Sequence, residues 1–215
     1  MSKNQRTGKV VGVNGNMVTV EFKERVIQNE VAFVCVGEER LKAEVIRVKG
    51  NKADLQVFED TTGIKIENKV EFTDDLLSLD LGPGLLTQIF DGLQNPLPKL
   101  AERHGFFLKR GEYLEPLDSE SVWEFTPAVK VGDKVKAGDK IGSVPEKIFE
   151  HLIMAPFDLE GSWEVTKIVG VGEHKIHDVV AQLKDESGKK RDVTMVQVWP
   201  VKIPITAYKE KLKPE

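Results

Sequence analysis

One stretch of the chain has the residue types of a phosphate-binding loop. Residues 187–190 read Ser-Gly-Lys-Lys, and a loop of the form G-x-x-x-x-G-K-S/T holds phosphates with its backbone N–H groups and its lysine. The upstream glycine is replaced by Leu183, and Lys190 occupies the position that requires Ser or Thr. The pattern therefore predicts a solvated hairpin tip, and the 215 residues contain no complete motif of this kind.

The histidines and the cysteine do not form a metal or nucleophile pattern. His174 and His177 could lie on one side of a helical turn, but no cysteine or clear carboxylate pattern accompanies them, so zinc binding is disfavoured. Cys35 lies in an apolar run and is interpreted as a buried small hydrophobe. The many carboxylates have no nucleophile or base at a suitable spacing. We therefore predict no catalytic, cofactor-binding or metal-binding residue in this chain.

The composition is that of a globular protein and argues against several functions. The chain is 40% hydrophobic and 31% charged, with a net charge of -4 and interspersed signs, whereas nucleic-acid binding needs a basic patch. No apolar run approaches the roughly 20 residues that cross a bilayer, and no apolar stretch follows residues 1–6 as in a secretory signal. A single cysteine indicates a cytosolic location. We expect a cytoplasmic protein with neither nucleic-acid binding nor direct membrane insertion.

The first third of the chain predicts short strands. Apolar and polar residues alternate with period two, which buries one face of each strand, and Asn14-Gly15 supplies a tight hairpin turn. The predicted strands are 9–13, 17–22, 31–36, 41–48, 53–58 and 69–72. Strands of this length and spacing predict a small closed barrel or a sandwich over about residues 5–73.

The rest of the chain predicts one short helix and a second β-rich region. Residues 96–105 begin with a proline and end with a glycine, as short helices do. Further strands are predicted at 122–125, 140–144, 151–155, 162–169, 179–183 and 192–198. Pro200, Pro204 and Pro214 cannot donate ladder hydrogen bonds and indicate an extended exit segment.

Residues 129–144 contain an internal near-repeat, Val-Gly-Asp-Lys-Val followed by Ala-Gly-Asp-Lys-Ile. Each Gly-Asp pair can form a tight turn. The pattern resembles biotinyl/lipoyl-like barrel-sandwich domains, which present a lysine for cofactor attachment, but the chain has no Met-Lys-Met or Asp-Lys-Ala sequence. We predict the shared fold element without a modified lysine. The alternative is a stand-alone carrier or binding module with an adduct on Lys134, Lys136 or Lys140.

Residues 81–97 form the strongest motif, LGPGLLTQIFDGLQNPL. Its glycines permit turns that side chains forbid, and its prolines restrict φ. We therefore interpret it as a segment that shapes the backbone between domains. The residues assigned to this structural role are Gly82, Pro83, Gly84, Asp91, Gly92 and Pro96.

This motif resembles a signature of rotary-ATPase nucleotide-binding subunits, and other segments extend the resemblance to the catalytic A subunit of V/A-type rotary ATPases. They are 8–11, 36–41, 43–47, 56–63 (Gln-Val-Phe-Glu-Asp-Thr-Thr-Gly), 125–127 with 131–133, 142–146, 199–201 and 208–212. The resemblance covers nearly the whole chain. It implies an N-terminal barrel, a short helix and a β-rich bulge insertion of barrel-sandwich, biotinyl-like character.

The resemblance also implies a division into four parts. They are an N-terminal barrel in the crown (1–74), the first segment of an interrupted nucleotide-binding domain (75–110), the bulge (111–198) and a frayed return segment (199–215). In such machines A and B subunits alternate in a hexameric ring, the bulge faces the peripheral stalk, and ATP or ADP with Mg²⁺ is bound between subunits. ATP synthesis or hydrolysis is coupled there to proton or sodium transport.

The phosphate-binding loop, the Mg²⁺-site acid and the catalytic glutamate of that family have no counterpart in these 215 residues. The resemblance therefore implies that they lie in sequence after Glu215. We expect this chain alone to be inactive, without a bound cofactor, and to serve ring assembly and stalk contact in the soluble sector, peripheral to the membrane.

Overall fold

The computed structural model describes residues 6–105 and 109–207. The expectations for residues 208–215, which include the end of the return segment and the family-like stretch 208–212, lie outside this part of the chain. The described residues form sixteen strands and one α-helix. The strands are β1 Arg6–Asn14, β2 Met17–Phe22, β3 Glu30–Val36, β4 Glu39–Lys49, β5 Lys52–Val57, β6 Lys69–Leu76, β7 Ser78–Leu81, β8 Val122–Pro127, β9 Lys134–Val135, β10 Lys140–Glu146, β11 Phe149–Met154, β12 Trp163–Ile168, β13 Gly172–Lys175, β14 Ala181–Lys184, β15 Lys190–Val193 and β16 Gln197–Pro200; the helix, α1, is Leu97–His104.

The described residues divide into two compact units. The first comprises 6–78, 97–105, 109–114 and 200–202, and the second comprises 79–96, 115–199 and 203–207. Each unit has its own apolar core. The mainly β fold class is confirmed, whereas the predicted four-part division of the chain stays a prediction.

The first unit is built on a closed antiparallel barrel with strand order β1-β2-β5-β4-β3-β6. Alternate residues point inward, so that Val18 and Val20 of β2 are fully buried while Glu21 between Val20 and Phe22 is exposed. Of the two predicted architectures, barrel and sandwich, the structure therefore has the barrel. Closure pairs both edges of every strand, so the sheet has no free edge.

The second unit contains two four-stranded sheets, β11-β10-β8-β13 and β15-β14-β12-β9. Their inner faces share one core, to which Phe125, Ile141, Val165 and Leu183 contribute fully buried side chains. Gly142 of β10 is required here, because a Cβ at this position would lie 2.4 Å from the ring of Phe125. The predicted barrel-sandwich character is confirmed.

Three short strands and one interruption were not predicted. The unpredicted strands are β7, β9 and β13, and the predicted strand 192–198 is divided into β15 and β16. The division follows from local bonding at Thr194, whose hydroxyl donates to the carbonyl of Val196 at 3.0 Å. Side-chain bonds of this kind compete with the strand ladder.

The predicted helix is confirmed as α1. The residue after its end is Gly105, which has a φ of 75° and donates its N–H to the carbonyl of Ala101 at 2.8 Å. Glycine suits this left-handed position because it has no Cβ. No helix among the described residues is long and apolar enough to cross a bilayer.

Candidate functional site

The Gly-Pro-Gly turn of the motif follows β7 directly, and its two glycines are favoured for different reasons. At Gly82, a Cβ would lie 3.0 Å from the carbonyl oxygen of Met195 and from a methyl group of Val196. Gly84 has a φ of 103°, which L side chains rarely adopt. Pro83, between them, has the fixed φ of its ring. Close packing therefore favours glycine at the first position, and backbone conformation favours it at the second.

A buried glutamate from another part of the chain holds this turn. Glu146, at the end of β10, is only 3% exposed, and its Oε1 accepts the N–H groups of Gly84 and Leu86, each at 2.9 Å. Its Oε2 lies 2.6 Å from Nδ1 of His151 on β11. One carboxylate thus bonds two main-chain donors and one imidazole.

Sequence reasoning placed Glu146 in the family-like stretch 142–146 but assigned it no role. Its main-chain partners lie 62 and 60 residues earlier in the chain. A single glutamate at the end of a strand has no periodicity that could indicate such distant partners. The residue was therefore missed because its function depends on tertiary proximity.

The second half of the motif is held by its own side chains. Asp91 Oδ1 accepts the N–H groups of Leu93 and Asn95 at 2.9 and 2.8 Å. Gln94 has a φ of 64°. Its side-chain amide accepts the N–H of Asp80 at 2.9 Å and donates to the carbonyl of Asp80 at 2.8 Å. The side chain of Asp91 thus bonds the backbone of its own segment, and the backbone-shaping role of the motif stays a prediction.

Gly92 and Pro96, two further residues of the motif, have different structural surroundings. Gly92 has no positive φ, and a Cβ there would meet no atom of the described chain within 4 Å. Nothing in the structure explains a glycine at this position. Pro96 forms an isolated bridge with Phe90 and precedes the first residue of α1, so it marks the point where the motif ends and the helix begins.

A mainly apolar cavity of about 250 Å³ lies beside the turn in the second unit. Leu85, Leu152, Met154, Phe157 and Met195 contribute to its lining. Around the motif, the side chains of Asp91, Gln94 and Glu146 bond main-chain groups. This arrangement can fix a backbone path.

The histidines and the cysteine also differ from the predictions. His174 lies in strand β13 with its ring edge-to-face with Phe125 at 6.3 Å, and His177 is exposed beyond the strand, so the suggested helical turn is wrong. No group of three or more His, Cys, Asp or Glu in the described residues could hold a metal ion. Cys35 is half-buried rather than buried, and desolvation raises the pKa of its thiol.

The near-repeat forms two matching turns. Asp133 Oδ2 accepts the N–H of Lys130 at 2.9 Å, and Asp139 Oδ2 accepts the N–H of Lys136 at 2.8 Å. The glycines before these aspartates have φ values of 92° and 79°. Lys134 is exposed in β9, and Lys140 forms an ion pair with Glu150 at 2.6 Å. The predicted turns are therefore present at both Gly-Asp pairs.

The loop at residues 185–189 joins β14 to β15. Asp185 Oδ1 accepts the hydroxyl of Ser187 at 2.7 Å and the N–H of Lys189 at 2.8 Å. The predicted hairpin tip is thus confirmed at the stretch that resembled a phosphate-binding loop.

In the first unit, the family-like stretch 56–63 holds the segment that follows α1. Glu59 accepts the N–H of Gly111 at 2.7 Å and the hydroxyl of Tyr113 at 2.5 Å. Arg110 donates to Glu39 at 2.6 and 2.8 Å and to the carbonyl of Thr62 at 2.5 Å. Burial, aided by Glu59, raises the pKa of Tyr113. The stretch 56–63 therefore helps to hold residues 110–113 against the barrel.

Two family models match the chain. Residues 10–74 match the beta-barrel domain of the ATP synthase alpha/beta family, and residues 114–202 match the barrel-sandwich domain of ATP synthase alpha/beta subunits. These ranges correspond to the barrel and to the two-sheet region described above.

Curated relatives of the chain also come from the ATP synthase alpha/beta family. The chain is 55% identical over 207 residues to the V-type ATP synthase alpha chain of Borreliella afzelii (strain PKo), covering 96% of this chain and 36% of that protein. It is 53% identical over 210 residues to the V-type ATP synthase alpha chain 1 of Treponema pallidum (strain Nichols), covering 98% and 36%. The chain thus spans about a third of the length of the relatives it matches.

Proposed function

Because the chain belongs to the ATP synthase alpha/beta family, we propose that it is the N-terminal region of the catalytic alpha subunit of a V-type ATP synthase. The complete subunit would synthesise or hydrolyse ATP, with coupling to proton or sodium transport. It would bind ATP or ADP with Mg²⁺ and act in the soluble sector, peripheral to the membrane on its cytoplasmic side.

The observation that carries this proposal is the continuity of the match. Identity of 50–55% to V-type ATP synthase alpha chains extends over at least 96% of the chain. It therefore includes residues 75–113, which lie between the two ranges that the family models match. A shared barrel alone would support only a fold, whereas barrel, motif segment and barrel-sandwich in one order support the subunit.

We assign assembly, not chemistry, to these residues. The barrel would contribute to a crown of alternating alpha (A) and B subunits, and the barrel-sandwich region would face the peripheral stalk. The motif residues Gly82, Pro83, Gly84, Asp91 and Pro96 would set the backbone path into the nucleotide-binding domain. We assign no catalytic, cofactor-binding or metal-binding residue to the chain.

A chimera tests the proposal. Residues 1–215 replace the matching region of the Borreliella afzelii alpha chain, which is produced with the other subunits of its complex. We expect assembly, and ATP hydrolysis within about tenfold of the parental rate, equal to about 1.4 kcal/mol in activation free energy. A chimera that is folded by circular dichroism yet excluded from the complex would refute the proposal. A chimera with Gly12→Ala, in which the added Cβ would meet only Thr19 at 3.8 Å, is the control for a single tolerated substitution.

A further inference from the structure

We propose that Glu146 is the positioning residue of the turn at residues 84–87. Through this glutamate, the barrel-sandwich region would set the backbone path of the motif segment. The part of this inference that concerns catalysis rests on the proposed function, because only then does the segment lead into a nucleotide-binding domain. The part that concerns the turn rests on the geometry of this chain alone.

The turn needs an external partner to keep its conformation. Gly84 and Thr87 both have positive φ values, 103° and 64°, and such a conformation is costly for a residue with a Cβ such as Thr87. The internal support is weak, since the bond from the N–H of Gln88 to the carbonyl of Leu85 is 3.4 Å long. The bonds from Gly84 and Leu86 to Glu146 are shorter and involve a charged acceptor.

Burial makes Glu146 dependent on the same bonds. A carboxylate that is 3% exposed has lost most of its water and must be solvated by protein donors. Gly84 and Leu86 supply two donors to Oε1, and His151 faces Oε2. The glutamate and the turn therefore stabilise one another. Without the turn, Glu146 would lose two hydrogen-bond donors, and without Glu146 the N–H groups of Gly84 and Leu86 would lose their acceptor.

Among the described residues, the β10–β11 hairpin supplies the side-chain hydrogen bonds that reach residues 84–87 from another part of the chain. Glu146 ends β10, Lys147 hydrogen-bonds the hydroxyl of Thr87, and His151 lies in β11. A movement of this hairpin would therefore move the acceptor of Gly84 and Leu86. The hairpin is thus the element that fixes the turn.

Amide hydrogen exchange on the 215-residue chain, resolved by NMR, tests the positioning role. We expect Glu146→Ala to accelerate exchange of the Gly84 and Leu86 amides by at least about tenfold, while amides of β2 stay unchanged. Glu146→Gln keeps an acceptor oxygen and should change these rates by less than about threefold. Glu150→Ala removes a carboxylate from the same hairpin, but one that pairs with Lys140 at the surface, and should leave both amides unchanged.

Unchanged protection of Gly84 and Leu86 in folded Glu146→Ala would overturn the inference, as would equal effects of the Ala and Gln variants. If Glu146→Ala does not fold, His151→Ala replaces it, because this variant removes only the partner of Oε2. Its Gly84 and Leu86 amides should then exchange faster than in the unmodified chain but still slower than in an unfolded peptide. Unchanged exchange in that variant would also count against the inference.

The same variants in the chimera test the link to catalysis. Glu146→Ala should lower kcat for ATP hydrolysis by at least about tenfold with a change in KM of less than about threefold, and Glu146→Gln should restore kcat. An inactive chimera with normal protection at Gly84 and Leu86 would refute the proposed function and leave the positioning role intact. An active chimera with unaltered kcat in Glu146→Ala would refute the catalytic part of this inference alone.

Discussion

Three glutamates accept a main-chain N–H from a residue in the left-handed region of φ. Glu30 bonds Asp74 (φ 70°) at 2.7 Å, Glu59 bonds Gly111 (φ 74°) at 2.7 Å, and Glu146 bonds Gly84 (φ 103°) at 2.9 Å. Such residues leave the regular ladder, so their N–H groups need a partner from elsewhere. Buried or half-buried carboxylates therefore supply the acceptors for main-chain N–H groups at these three positions.

Tyr113 allows a test of this principle at the level of one residue. Its hydroxyl donates to Glu59 and accepts the N–H of Lys42 at 2.6 Å. Tyr113→Phe should lower the free energy of unfolding at pH 7 by about 1–3 kcal/mol, because it removes the two hydrogen bonds of this half-buried hydroxyl. Chemical denaturation followed by circular dichroism measures the change.

The same residue predicts a pH dependence. Burial raises the pKa of Tyr113 in the folded chain above its unfolded value of about 10. The stability that the protonated hydroxyl contributes is therefore present below about pH 10 and is lost as the pH rises above that value. The unmodified chain should lose more stability than Tyr113→Phe between pH 7 and about pH 10.5. Parallel losses in the two proteins would contradict this assignment.

Strand β1 contains a matched pair of glycines for a test of packing at the level of one element. A Cβ at Gly8 would lie 2.7 Å from a methyl group of Val20 and 2.8 Å from the carbonyl of Glu21, whereas a Cβ at Gly12 would meet only Thr19, at 3.8 Å. Neither glycine has a positive φ. Gly8→Ala should therefore destabilise the barrel by about 1–3 kcal/mol through overpacking.

Gly12→Ala is the control, and it should be neutral or stabilising by up to about 1 kcal/mol through the unfolded state. Urea denaturation with hydrogen exchange of the barrel amides distinguishes the two variants. Equal destabilisation by both would show that the close approach at Gly8 does not limit the packing of the barrel.

At the scale of the whole molecule, the sequence predicts that nucleotide binding needs more than these 215 residues. No complete phosphate-binding loop is present in them, and such a loop supplies the backbone N–H groups that hold phosphates. Calorimetric titration of Mg-ATP into the chain should therefore show binding weaker than about 1 mM. Micromolar binding would contradict this prediction, and the assembled chimera serves as the positive control.

The long, alternating strands of the barrel were predictable from sequence, and so was α1. Their patterns are local, since period two determines which side chains point inward and a terminal glycine ends a helix. β9 and β13 were not predictable. They are only two and four residues long and have few apolar residues, so their pairing with β12 and β8 is set by these partners.

The sequence by itself determined the family resemblance and the barrel-sandwich turns. It also predicts the backbone-shaping role of the motif, because glycine, proline and aspartate act on the backbone next to them in the chain. Only the tertiary structure showed that Glu146 accepts the N–H of Gly84 and lies beside His151, and that Glu59 accepts hydrogen bonds from Gly111 and Tyr113. These bonds join residues that are 52–62 positions apart, apart from the pair within the β10–β11 hairpin. Local sequence patterns do not indicate that these distant residues are close in space, because they come together only when the chain has folded.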